Sequence, residues 1–206
     1  MKIRHSLFAL SATLLAIGLQ AEEAKPADNA PKFAYGMMLK HGDKVIFSPC
    51  RDRSYSTMED VSTDKAVTKA LNSVGLATGK KLYAELLAVV EGDTLKASAI
   101  NMAQTEGRCQ LPGTRDEAWR AAGNEPGWLL AAGGDSVTLK RPGQPDIVVP
   151  YTPLKLEGGR ASFTADKLTL RLDNTLCRDA LANAVFGWTA TVTANGQTLK
   201  GCAWQR

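Results

Sequence analysis

The side chains best suited to chemistry stand in two short segments far apart in the chain. One is Asn124-Glu125, ahead of Pro126-Gly127-Trp128; the other is Arg178-Asp179, directly after Cys177. Proline disfavours helical backbone in the residue before it, so Glu125 is expected in an extended or turn conformation. With Pro126 in the second place and Gly127 in the third, Glu125-Pro126-Gly127-Trp128 fits a type II turn in which Gly127 supplies a positive φ. The plain reading is a bend that feeds a core tryptophan. The functional reading makes Asn124, Glu125 and Trp128 a concave binding corner, which Arg178 and Asp179 join if folding brings the segments together. Glycosidases flank the scissile bond with two carboxylates, and Asp179 is the partner that Glu125 would need for such work.

Other chemistries find little to work with. Nucleophilic catalysis by a serine or cysteine needs an imidazole within reach. Beyond the first 21 residues the sole histidine is His41, in Lys40-His41-Gly42-Asp43, which reads as a solvated hairpin tip. No phosphate-cradling loop, dinucleotide fingerprint or zinc-protease motif occurs, so no cofactor is expected. Met37 and Met38 are adjacent rather than spaced as thioether ligands, and belong in a core. The four cysteines, Cys50, Cys109, Cys177 and Cys202, include no Cys-x-x-Cys pair, so a metal site is not expected. An even set suits disulfides in an oxidising compartment. Of three pairings, Cys50–Cys109 and Cys177–Cys202 are favoured, because the gap from 109 to 177 separates blocks of different character.

The chain has 206 residues and opens with Lys2 and Arg4 ahead of an apolar run, Leu7 to Leu19, that ends near Ala21. That layout is a secretory signal, too short for a membrane span. Residues 1–21 are therefore read as a signal peptide and the rest as an exported, periplasmic protein without stable membrane insertion. Taking Lys2 and Arg4 away lowers the formal net charge from +4 to +2. So balanced a chain, with no basic stripe interleaved by aromatics, is not expected to bind nucleic acid.

These residues must be positioned by strands. Residues 22–32 read as a flexible leader. FAYGMMLK and KVIFSP flank a turn, and STDKAVTKALNSVG carries apolar residues at helical spacing with Gly75 as a stop. KLYAELLAVVEGDTLKASAI passes for helix by propensity, but its alternation and the Glu91-Gly92-Asp93 turn favour a hairpin. LPGTRDE, residues 111–117, is the expected inter-domain linker. After it come GWLLAA, DSVTLKR, DIVVPY, LTLRLD, GWTATVTA and QTLKGCAW, separated by Gly133-Gly134, Pro142-Gly143, Gly158-Gly159 and Asn195-Gly196. Asn-Gly is the strongest of these turn signals, since both residues tolerate the positive φ of a two-residue hairpin turn. CRDALANAVF is read as a second short helix. The expected fold class is mainly β. An OB-like barrel with one helix (33–112) is followed by a Trp-rich β-barrel or sandwich domain (117–206), with one disulfide each. All four tryptophans, Trp119, Trp128, Trp188 and Trp204, fall in the second unit, as core or as a flat ligand platform.

Three pieces, Gly123-Asn124-Glu125-Pro126-Gly127-Trp128, Cys177-Arg178-Asp179 and Gly201-Cys202-Ala203, resemble a family of uncharacterised bacterial envelope proteins with a Gly-Asn-Glu-Pro-aromatic-Trp segment. Here Gly127 replaces the aromatic, and Ala180-Leu181-Ala182-Asn183 stands where a Met-Ser-Gly-like stretch is expected. Such domains occur near modules similar to META/HslJ and lysozyme-inhibitor domains. Residues 33–112 look like the C-terminal OB-type domain of the NlpE lipoproteins, in the Pro-Cys after the second strand, the middle helix and the late cysteine. The resemblance implies a barrel face for ligands or partners. The expected function is a non-catalytic binding or protein-interaction module of the envelope, its partner an envelope protein or small ligand. The alternatives are an inhibitor of an envelope-directed hydrolase and a small glycan or peptide hydrolase acting through Glu125 and Asp179.

Overall fold

The computed structural model describes residues 30–105, 107–109 and 116–206. The signal peptide, most of the leader and most of the linker lie outside the described residues. The chain is mainly β. The first region runs β1 (Lys32–His41), β2 (Lys44–Pro49), β3 (Ser56–Asp60), α1 (Ala66–Ser73), β4 (Leu82–Glu91) and β5 (Thr94–Thr105). Strands pair in the order β5-β3-β2-β1-β4, and β4 pairs again with β5, which closes a five-stranded barrel. Among the described residues of this region only β3–β5 is parallel, and α1 lies in the connection between β3 and β4. This is the expected OB-like barrel with one helix.

Local chemistry accounts for the elements. Gly42 and Gly92 take positive φ at the tips of the β1–β2 and β4–β5 hairpins, and His41 is exposed at the first. Helix α1 buries Val67, Ala70 and Leu71, the apolar stripe read from the sequence. Its entry is held by side chains: Val67 N–H donates to Ser62 Oγ (3.0 Å) and Thr68 N–H to Asp60 Oδ2 (2.7 Å). These bonds satisfy amides that a helix start leaves without partners. Burial raises the Asp60 pKa, but the donors on Ser62 and Thr68 outweigh it and hold the carboxyl below its usual range. Strand β4 is buried on both faces at its start. Leu82, Ala84 and Leu86 fill the barrel, while Tyr83 and Glu85 face outward into a second cluster. Burial on both sides explains why this segment has a helix-like composition.

The second region runs β6 (Glu117–Asn124), β7 (Gly127–Gly133), β8 (Ser136–Arg141), β9 (Gln144–Pro150), β10 (Lys155–Glu157), β11 (Arg160–Ala165) and β12 (Leu168–Asp173). It continues with β13 (Cys177–Asp179), β14 (Ala184–Phe186), β15 (Trp188–Ala194) and β16 (Gln197–Gln205). Nine of these strands form one antiparallel sheet, β10-β11-β12-β15-β16-β6-β7-β8-β9, curled into a half-barrel. Every expected strand is present, and Asn195 (φ 51°) and Gly196 (φ 77°) make the expected turn between β15 and β16. Its core holds Trp119 and Trp188, edge to face with centroids 5.1 Å apart, a favoured aromatic geometry. With Trp128 buried as well, three of the four indoles are core and form no exposed coplanar platform.

The segment read as a second helix, CRDALANAVF, is instead the β13–β14 hairpin. Asp179 explains the difference. Its Oδ1 accepts hydrogen bonds from Leu181 N–H (2.9 Å) and Ala182 N–H (3.0 Å), a local turn that competes with helix. Asn183 then takes a positive φ of 45°. The hairpin does not join the nine-stranded sheet: β14 pairs with β5 and extends the barrel's sheet. Both favoured disulfides form, Cys50–Cys109 and Cys177–Cys202, one in each region of the chain.

Candidate functional site

The sheet splits where the two candidate segments meet. Strands β6 and β16 pair from Trp119↔Gln205 to Ala122↔Cys202, and there the ladder ends. Continuing the register would set Gly123 opposite Gly201 and Asn124 opposite Lys200. Instead the Trp128 indole enters from below, and its Nε1–H donates to Lys200 C=O (3.2 Å). The two glycines make room for it. A Cβ on Gly123 would lie 2.3 Å from Trp128 Nε1, and one on Gly201 would lie 2.0 Å from Ala122 O and 2.8 Å from the indole. Both are distances no real Cβ adopts, so side chains are excluded at these positions.

Above this split lies an open cleft of about 420 Å³. Its sides are Gly123, Asn124 and Glu125 at the end of β6 and Lys200, Gly201 and Cys202 on β16; Cys177 to Leu181 cover it from the β13 hairpin. Four of the five candidate residues, Asn124, Glu125, Arg178 and Asp179, therefore line one cleft, from positions more than fifty residues apart. Trp128, the fifth, is 4% exposed and lies beneath the cleft as its support. The Cys177–Cys202 bridge forms part of the floor.

The polar groups fall into two classes. Asp179 is fully engaged: Oδ1 takes the amides of Leu181 and Ala182, and Oδ2 accepts from Asn124 Nδ2 (2.9 Å). Burial pushes its pKa up, but the Ala182, Asn124 and Leu181 donors prevail and hold it below the ordinary carboxylate range. Arg178 is engaged as well. Its guanidinium donates to Asp179 C=O (2.9 Å), Ala184 C=O (3.1 Å) and Asn183 Oδ1 (2.7 Å), and Asn183 Nδ2 donates to Thr105 Oγ1 of β5 (2.6 Å). Loop 180–183 is thus held at both ends, and Leu181 at its tip is 80% exposed. Glu125 and Lys200 form the other class: both are exposed on the rim, and neither makes an ion pair with another described residue.

The turn at Glu125 differs from the expected one. Glu125 and Pro126 form a two-residue tip, with Asn124 paired to Gly127 and the Glu125–Pro126 peptide cis. Proline therefore holds the third turn position rather than the second, which is the type VI arrangement, and Gly127 does not take a positive φ. Lys200 and Leu181 are the cleft residues that sequence reasoning missed. The signal for Lys200 was its place before Gly201-Cys202. Leu181 gave a weaker one, an exposed-type apolar residue inside a segment misread as helix. Comparison with family models, with curated proteins and with solved structures finds no match to this chain.

Proposed function

We propose that this protein is an exported, periplasmic, non-catalytic binding or protein-interaction module of the bacterial envelope, related to the family whose three motif pieces it carries. Its contact surface is the cleft between the β6–β7 tip and the β13–β14 loop. The observation that carries the reading is that Asn124, Glu125, Arg178 and Asp179 line one cleft, with Asp179 and Arg178 used to hold its wall rather than left free. A carboxylate saturated by three donors and kept ionised supplies a fixed charge; a general acid needs a pKa raised toward the working pH. A shape held in place before contact loses little order on binding. The signal-like opening and the two disulfides support export.

The test is site-specific photocrosslinking in cells, with the photoreactive residue at position 181 or at Val148, which is exposed on β9 and distant in the sheet order. A discrete adduct from position 181 alone, lost in Glu125→Lys, is the expected result. Equal adducts from both positions, or none from position 181, would overturn the reading. One second reading is favoured by a specific feature. The braced loop with Leu181 outward has the form of an inhibitor's insertion loop, and an adduct with a lysozyme or periplasmic protease whose activity the protein blocks would select it.

A further inference from the structure

We infer that the ligand of this cleft is a short peptide with free ends, its ammonium group held by Glu125 and its carboxylate by Lys200. The inference deepens the binding role proposed above and rests on it. It follows from subtraction. Arg178 and Asp179, the other charged residues of the wall, already serve Asp179 C=O, Ala184 C=O, Asn183, Asn124 and two loop amides. What remains for a ligand is one carboxylate, Glu125, and one ammonium, Lys200, on opposite sides of the split. Asn124 adds to the Glu125 side, since its Nδ2 is spent on Asp179 and its Oδ1 is left as an acceptor facing no described donor. An acceptor beside a carboxylate suits an N–H cation, and a lone ammonium suits an anion.

The surface between those two charges is restricted in chemistry. Ala122, Gly123, Gly201 and the Cys177–Cys202 bridge offer small apolar and backbone surface, and Ala180 and Leu181 add an aliphatic lip. A chain of small residues fits such a floor, whereas a large aromatic finds no exposed ring to stack on, because Trp128 is buried below. About 420 Å³ lies within the range of ordinary small-ligand sites. A ligand with one charge of each sign at its ends and small side chains between is an alanine-rich peptide with free termini.

Trialanine is the probe, titrated into the whole ¹⁵N-labelled protein and followed by amide shifts, beside N-acetyl-trialanine and trialanine amide. Saturable shifts at Gly123, Leu181, Lys200 and Gly201 are expected, with each capped peptide bound about 10-fold more weakly, the loss of one charge-assisted contact. Glu125→Gln should erase the penalty of acetylation alone, and Lys200→Gln that of amidation alone. Both residues are exposed, so neither change threatens folding. Shifts elsewhere, no saturable shift, or equal binding of the capped peptides would overturn the inference. If trialanine fails while position 181 still crosslinks to a partner, the ligand assignment falls and the interaction surface stands. If both fail, the binding reading falls with it.

Discussion

Glu85 is 2% exposed, on the outward face of β4, and its carboxyl is held by two neutral side chains. Tyr83 O–H donates to Oε1 (2.8 Å) and Asn101 Nδ2 to Oε2 (2.7 Å). Burial raises the Glu85 pKa, and those two donors and Arg206 only partly offset it. The same burial, with the neighbouring Glu85 charge, pushes the Tyr83 phenol upward. A carboxyl whose folded pKa exceeds its unfolded value, about 4.3, contributes stability that is full below the unfolded pKa and is lost as pH rises through the folded one. Asp60 and Asp179 have depressed pKa values and act in the opposite sense, losing their contribution only as pH falls below about 4, the unfolded aspartate value. The windows therefore separate. Stability to denaturant should rise as pH falls through the folded Glu85 pKa toward the unfolded value of about 4.3, and Glu85→Gln should flatten that slope and raise stability at pH 7.5. Gln keeps both bonds, accepting from Asn101 and donating to the Tyr83 oxygen. An unchanged slope in the variant would show that another group carries the pH dependence.

At the scale of the element, the unit that makes the site is the split between β6 and β16, which depends on two glycines of the same missing register pair. Gly201→Ala meets the Ala122 carbonyl at 2.0 Å and Gly123→Ala meets Lys200 O at 2.4 Å, both backbone atoms that cannot swing aside. Each change should destabilise the protein by about 1–3 kcal/mol, the usual cost of forcing bulk into a packed site. Gly127→Ala is the contrast. Its nearest neighbour is Pro142 Cγ at 3.9 Å and its φ is not positive, so its midpoint should stay within about 0.5 kcal/mol of the wild type. Denaturant midpoints of the three variants decide it, and a large loss in Gly127→Ala would restore the type II turn. This is also where legibility in the sequence ends. Alternation and Gly-containing turns are local signals, and they located β1, β2, β4 and β5 of the barrel and most strands of the second sheet, but not β3, β10 or β11; the disulfides followed from the long gap between Cys109 and Cys177. Four of the five candidates proved to be cleft neighbours because they stand at the end of β6 and in β13, which the fold brings together. CRDALANAVF misled because its helix-forming composition is overridden by one side chain, Asp179, and by pairing with β5, eighty-odd residues earlier, which no window of the chain contains. The type of turn at Glu125 was hidden for a related reason, since the cis or trans state of a proline peptide depends on its surroundings as well as on its neighbours.

For the whole molecule, the same hairpin decides how the barrel and the half-barrel are joined. After β12 the chain leaves the nine-stranded sheet: β13 pairs with β14, β14 pairs with Met102–Gln104 of β5, and the chain returns to the sheet at β15. Gly187 lets this strap lie close: its N–H donates to Asn101 C=O (2.8 Å), and a Cβ there would lie 2.1 Å from Ile100 O. Asn101 also binds both the N–H and the C=O of Gln205 at the end of β16 (2.8 and 2.9 Å). Between them Phe186 and Trp204 pack with centroids 5.0 Å apart, in the cluster that also holds Tyr83 and Met102. Cys177–Cys202 ties the strap to β16 across a separation of 25 residues. Loop-entropy reasoning gives such a bridge about 3.5 kcal/mol. Because its two cysteines stand in different sheets, its loss should be felt on both sides of the junction. In Cys177→Ser/Cys202→Ser, stability should fall by about 3 kcal/mol, and amide exchange should quicken at Ala103 and Val185, in the β5–β14 ladder that contains neither cysteine. The far barrel ladder between β1 and β2 should keep its protection relative to the new global stability. If hydrogen exchange quickens uniformly, with no excess at the β5–β14 ladder, the bridge acts only on the unfolded chain and the strap is held by its other contacts alone.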